Sequence, residues 1–275
     1  MKAHHKLAGC PNSSPPFARA VGKARGYGFP IFAAHRPTSS GRAFAAKVGI
    51  FLCVLLTLAG AQQTTLRAHT EVNRNGHRLK DASQVVVWLT PIGAPVDPPK
   101  QTEIPKLVQK DKAFHPSLLV IPVGGKVEFP NEDPFFHNVF SLFEGKRFDL
   151  GLYESGTTQS VRFDKPGISF IFCNIHAQMS AVVIAVNTPY YAISNTRGDV
   201  TLPNVPPGRY QLQVFHASVD PDSLRALAHE ITVAAGDTSL GTFSLTETEI
   251  ELAHKNKYGR DYDRPDPDSP AYARP

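Results

Sequence analysis

The chain has 275 residues, 41% of them apolar, with 29 Lys/Arg against 24 Asp/Glu and a net charge of +5. That excess belongs to residues 1–61, which carry eight basic and no acidic side chains; the remaining 214 residues hold 21 basic and 24 acidic groups, a net charge of −3. With no basic stripe interleaved with aromatics left in that larger part, nucleic acid is excluded as a partner.

In chain order, residues 1–40 are rich in Pro, Gly, Ser and Arg and read as unstructured. Val48 to Ala61, VGIFLCVLLTLAGA, is an uncharged apolar run of 14 residues, short of the roughly 20 of an average membrane-spanning helix. Arg42 and Lys47 precede it, and Ala59-Gly60-Ala61 closes it with the small residues typical of a signal-peptidase site. Residues 1–61 are therefore expected to be an export leader with a cleaved signal peptide. The protein would then be periplasmic or extracellular, with no stable membrane span once the signal is removed. The alternative is a membrane anchor formed by an uncleaved signal.

Beyond the leader, short β-branched and aromatic runs are punctuated by Gly, Pro, Asn and Asp. Examples are QVVVWLT (84–90), SLLVIPV (117–123), KVEFPN (126–131), SVRFD (160–164), ISFIFC (168–173), AVVIAV (181–186), YQLQVFH (210–216) and HEITVAA (229–235). This spacing predicts an all-β chain built of sandwiches. One domain is expected over 62–186 and a smaller β unit over 187–246. Residues 247–275, polar and Pro-rich, are expected to be an extended tail without a core of its own.

The chemistry concentrates in Phe172 to Met179, FCNIHAQM. Of three cysteines, Cys10 and Cys53 lie in the leader, and of two methionines Met1 is the first residue. Cys173 and Met179 are then the single thiol and single thioether of the exported part, and both share one loop with His176. A lone thiol is an intermolecular partner, a reactive group, a metal ligand or a buried inert side chain. Zinc usually takes four Cys, His or carboxylate donors, often with paired Cys-x-x-Cys spacing, and no second cysteine is present. Two imidazoles, one thiolate and a weak axial thioether make a blue-copper site. FPNEDPFFHNVFS supplies the second imidazole as His137, 36 residues before Cys173.

Phe114-x-Pro116, Leu119, Gly124, Val127, Phe129, Asn131, Asp133 and His137-Asn138-Val139 resemble the first half of a plastocyanin-like cupredoxin. FDKPGISFIFCNIHAQM resembles the closing half, with the Cys-x₂-His-x₂-Met spacing of amicyanin. More narrowly, the chain is similar to exported cupredoxins of the methylamine-utilisation type. The resemblance implies a Greek-key β-sandwich holding one copper ion that cycles between Cu(I) and Cu(II). His137, Cys173 and His176 would be the strong ligands and Met179 the axial one, and the Asn138 backbone N–H would bond the thiolate from outside the ligand set. It further implies electron transport between redox protein partners, without catalysis, and an apolar surface around His176 formed by Pro134, Phe135, Phe136, Ile175 and Ala177. The exported part contains no His-x-His pair, which argues against a multicopper oxidase. The competing reading is an envelope binding or scaffold protein, or a copper-handling one, with the same fold.

GDVTLPNVPPGRYQLQVFH (198–216) resembles the small transthyretin-like units known as carboxypeptidase regulatory-like domains, and no catalytic constellation appears in it. His69, His77, His216, His229 and His254 are read as structural or solvated, with His115 a weak outsider for the metal site. Arg197-Gly198-Asp199 is read as a turn.

Overall fold

Alternation of side chains across the backbone accounts for most of the architecture. The structure is a computed structural model that describes residues 64–93, 96–142, 145–236, 238–248 and 255–262; the expected leader lies outside the described residues. The first strands are β1 (Thr64–Arg74), β2 (His77–Arg78) and β3 (Val86–Pro91). Then come β4 (Val108–Lys110), β5 (Ala113–His115), β6 (Leu118–Pro122), β7 (Lys126–Pro130), β8 (His137–Ser141), β9 (Phe148–Tyr153), β10 (Thr158–Arg162), β11 (Gly167–Phe172) and β12 (Ser180–Val186). The chain continues through β13 (Tyr191–Ile193), β14 (Asp199–Val205), β15 (Gly208–Phe215), helix α1 (Pro221–Leu227), β16 (His229–Val233) and β17 (Ser239–Glu247). Among the described residues the fold is thus all-β apart from one short helix, which Asp220 caps by accepting a hydrogen bond from the Ser223 N–H at 2.9 Å.

Strands β6-β12-β11-β8-β9 form one sheet. With the pairs β10-β7 and β4-β5 it encloses a core of Leu107, Phe114, Val127, Phe129, Phe163 and Ile171, in which Cys173 and Met179 are also buried. This is the sandwich expected around the metal loop. Strand pairing divides the chain differently from the expected boundary at 186/187, however. Strand β1 lies between β14 and β17, and β3 lies between β13 and β15. These two sheets share a second core, in which Leu66, Val72, Val87 and Leu89 meet Leu202, Leu212, Phe243 and Leu245. Residues 64–91 therefore belong with 191–247, and the metal-loop sandwich is inserted between them.

The reason lies in two continuous apolar runs. Along β3 and the residue before it, Val85, Val87 and Leu89 face the second core, whereas Val86 and Trp88 face outward. Along β12, Ala181, Val183 and Ala185 face the metal-loop core, whereas Val182, Ile184 and Val186 face outward. The two outward faces bury each other, with Phe215, in a third cluster. A strand covered on both sides has no polar face, so its sequence loses alternation. Each large aliphatic side chain buried in this seam contributes on the order of 1.5–3 kcal/mol.

The Arg197-Gly198-Asp199 segment is a turn, as expected. Gly198 has φ +87°, and a Cβ there would lie 2.0 Å from the Thr70 carbonyl oxygen, so only glycine fits. Among the described residues, no helix is long and apolar enough to cross a membrane.

Candidate metal centre

Two neighbouring strands and one loop build the site. His137 opens β8, which pairs with β11 through Phe140 and Phe172. Residues 173–179 form the loop between β11 and β12. Its ends are fastened together by Cys173 N–H donating to the Met179 carbonyl (3.3 Å), and Met179 N–H donates to the His176 carbonyl (3.0 Å). The loop thus returns His176 and Met179 to the side of Cys173.

The sulfur of Cys173 lies 3.7 Å from His137 Nδ1 and 3.8 Å from His176 Nδ1. All three residues are buried, and their ligand atoms lie within 4.8 Å of one another. Metal–sulfur and metal–nitrogen bonds of about 2.3 and 2.0 Å meeting at 120° would separate sulfur from nitrogen by about 3.7 Å, against about 3.5 Å at a tetrahedral angle. At 3.7 and 3.8 Å the observed separations are of the size that one metal ion held by all three residues would require. Among the described residues no further His, Cys, Asp or Glu joins this group. Met179 is fully buried in the same apolar cluster as Cys173. A soft sulfur-and-imidazole set lacking a fourth hard donor fits copper better than a closed zinc site.

His137 and Cys173 are held by their own partners. His137 Nε2 lies 2.7 Å from Asp133 Oδ2. Burial holds the His137 imidazole below its usual pKa, against the pull of Asp133. The ring is therefore neutral at pH 7, with its proton on Nε2 donated to Asp133 and its Nδ1 lone pair turned to the sulfur. Burial works against the Asp133 charge. Hydrogen bonds from the Lys112 N–H, His137 and the Asp111 N–H outweigh it and keep the carboxyl below the ordinary range. Asp111 and Lys112, both at positive φ, form the tight turn between β4 and β5, so Asp133 ties that hairpin to the ligand. Asn131 braces the same loop. Its Nδ2 donates to the Phe135 and Tyr153 carbonyls, and its Oδ1 accepts from the Asp133 N–H.

Burial raises the Cys173 pKa, against backbone N–H groups of Asn138, Ile175 and His176 that gather at the sulfur. A metal ion must displace that proton, and the three N–H dipoles then favour the thiolate. The His176 pKa is lowered to about 4, by burial first and by the neighbouring His137 second.

The aromatic surroundings separate two adjacent phenylalanines. Phe135 packs on both imidazoles, at centroid distances of 5.2 Å to His137 and 5.6 Å to His176. Phe136 points outward and is 49% exposed. Of the other patch residues, Pro134 is exposed and Ile175 and Ala177 are half-buried.

His115 is exposed on β5 and lies outside the cluster. His216 is buried far along the chain, where its Nδ1 accepts from the Ser218 N–H and its Nε2 lies 3.9 Å from Glu247. His254 falls outside the described residues. In the sequence Asp133 stands out only as one member of a motif. Its position four residues before His137 is the available signal for its role.

No family model and no curated protein matches the chain. Among solved structures, 36% of this chain matches 26% of the copper-containing nitrite reductase of Thermus scotoductus SA-01, with 24% identity and a TM-score of 0.31. A novel purple cupredoxin from Nitrosopumilus maritimus is covered over 99% of its length by 30% of this chain, with 22% identity and a TM-score of 0.27. The Cu(I) form of a point mutant of amicyanin is covered over 98% of its length by 36% of this chain, with 14% identity and a TM-score of 0.29. The chain spans about a quarter of the nitrite reductase and nearly all of the two smaller proteins. The β-sandwich itself is established by the strand order described above.

Proposed function

We propose that the chain is an exported type 1 copper protein, of the methylamine-utilisation-type cupredoxins, that carries single electrons between redox partners. The observation that carries this reading is the pair of sulfur–nitrogen separations, 3.7 and 3.8 Å, in a buried Cys-His-His group beside Met179. Copper bound there would supply a one-electron couple. His137, Cys173 and His176 would hold it, with Met179 as a weak axial donor. Asp133, Asn131 and the backbone N–H groups at Cys173 keep the donors oriented whether or not a charge is added, which keeps the rearrangement on electron transfer small. Phe135 excludes water from the two imidazoles, and Phe136 with Pro134 offers an apolar surface for a partner. No catalytic role is assigned.

The test is one equivalent of Cu(II) added to the purified chain, followed by optical and EPR spectra. An intense visible thiolate-to-copper band that Cys173→Ser abolishes is expected. A colourless wild-type complex of normal affinity refutes the electron-carrier reading and leaves a copper-handling or scaffold role.

A further inference from the structure

Residues 255–262, in the stretch expected to be an extended arm, form a compact turn seated on the metal loop. Asn256 organises the turn: its N–H donates to the Arg260 carbonyl at 2.8 Å, and its Oδ1 accepts from the Tyr258 and Arg260 N–H groups at 3.0 and 3.1 Å. Gly259, at φ +75°, donates back to the Asn256 carbonyl at 2.9 Å. The turn contributes no residue to any of the three apolar clusters, and Tyr258 is 70% exposed.

What joins the turn to the sandwich is polar, and it converges on both halves of the site. The Tyr262 hydroxyl donates to the carbonyl of Cys173 at 2.6 Å. The Lys257 N–H donates to Asn174 Oδ1 at 2.9 Å, one residue along the same loop. The Lys257 ammonium pairs with Asp149 Oδ2 at 2.8 Å, while Asp149 Oδ1 accepts from Asn138 Nδ2 at 2.7 Å. Asn138 follows His137, and its backbone N–H is one of those at the Cys173 sulfur. The turn therefore grips the thiol's own residue from one side and the strand of the first imidazole from the other.

We propose that Tyr262 and Lys257 are positioning residues of the metal centre, and that docking of the 255–262 turn and metal binding strengthen each other. The proposal rests on the copper reading above. Contacts made to the loop in its ligand-ready shape stabilise that shape. By reciprocity, whatever factor docking adds to metal affinity, metal must add to docking. Loss of one such part-buried hydrogen bond corresponds to about a fivefold change in an equilibrium.

The experiment uses the full chain, wild type and Tyr262→Phe, with amide hydrogen exchange of the 255–262 peptide read before and after Cu(II) is added, and Cu(II) affinity measured in parallel. Two outcomes are expected. In the metal-free chain, Tyr262→Phe speeds exchange of the turn about fivefold. Copper slows that exchange in the wild type, by at least the factor by which Tyr262→Phe weakens copper affinity. Asp149→Asn, which leaves the tyrosine and the loop intact, reproduces the effect in milder form. Equal copper affinity in wild type and Tyr262→Phe, or an exchange rate that copper does not alter, overturns the positioning role while leaving the copper reading standing. Failure of the wild type to take up copper overturns both, even where Tyr262→Phe still loosens the turn.

Discussion

Asp133→Asn isolates the part played by one charge at the centre. The carboxylate accepts three hydrogen bonds, from His137 Nε2 at 2.7 Å, Asp111 N–H at 2.7 Å and Lys112 N–H at 3.0 Å. Asparagine has nearly the same shape, but one of its two ends is an NH₂ group. If its oxygen stays on the Asp111 N–H, its amide nitrogen faces His137 Nε2. The imidazole then becomes an acceptor there and moves its proton to Nδ1, the atom that faces Cys173. Copper at Nδ1 would require the proton back on Nε2, where the amide NH₂ cannot accept it, so the charge-assisted bond is lost, about 1.5 kcal/mol at the lower end of its range. That is about tenfold in Cu(II) affinity. Cu(I) places less positive charge on the imidazole and loses less, so the reduction potential should rise by up to about 60 mV. Redox titration of the two proteins at one pH measures this directly. A potential that is unchanged or lower in Asp133→Asn, with Cu(II) affinity intact, would refute the argument that this carboxylate tunes the ligand.

Met179→Leu is close in volume and should cost below about 1.5 kcal/mol in packing. It should keep the visible band while raising the potential, because emptying a coordination position costs Cu(II), which prefers more donors, more than Cu(I); an unchanged potential would show Met179 to be packing alone. Phe136→Asp, on an exposed side chain, should slow electron exchange with a partner and leave the spectrum as it is, whereas Phe135→Asp, against both imidazoles, should also disturb the spectrum. In the metal-free protein, the His176 pKa is about 4 when folded and about 6.5 when unfolded. The unfolded chain therefore binds more protons between those values, and stability should fall by roughly 3 kcal/mol as pH drops from 6.5 to 4. Denaturant midpoints followed by Trp88 emission at about pH 7 and about pH 4.5 test this, and equal midpoints would contradict the buried, neutral state of that ring.

The buried His137-Cys173-His176 group was legible because it is local: Cys173 and His176 share one seven-residue loop with Met179, and His137 opens a strand with its own motif. Strand pairing departs from the expected domain boundary for a non-local reason. The buried positions of β1 are Thr64, Leu66, Ala68, Thr70 and Val72, an alternation written largely in small or polar residues and hence faint. Its partners lie far downstream, with His69 opposite Asp199 on one side and Thr242 on the other. Side-chain periodicity fixes which face of a strand is buried but not which strand lies beside it. The turn at 255–262 was illegible for a related reason. Its contacts are hydrogen bonds from Lys257 and Tyr262 to groups more than 80 residues earlier, and polar residues in a Pro-rich tail carry no mark of where they dock.

The parallel pairing of β1 with β17 has a consequence for biogenesis. The outer unit cannot close until its last strand, Ser239–Glu247, has been made, whereas the inner sandwich is complete once Val186 has emerged. A chain threaded outward from its N-terminus would finish the metal-loop half first, while β1 and β3 wait with their apolar faces uncovered. Holding those two strands safe until residues 191–247 arrive is then the vulnerable interval in assembly.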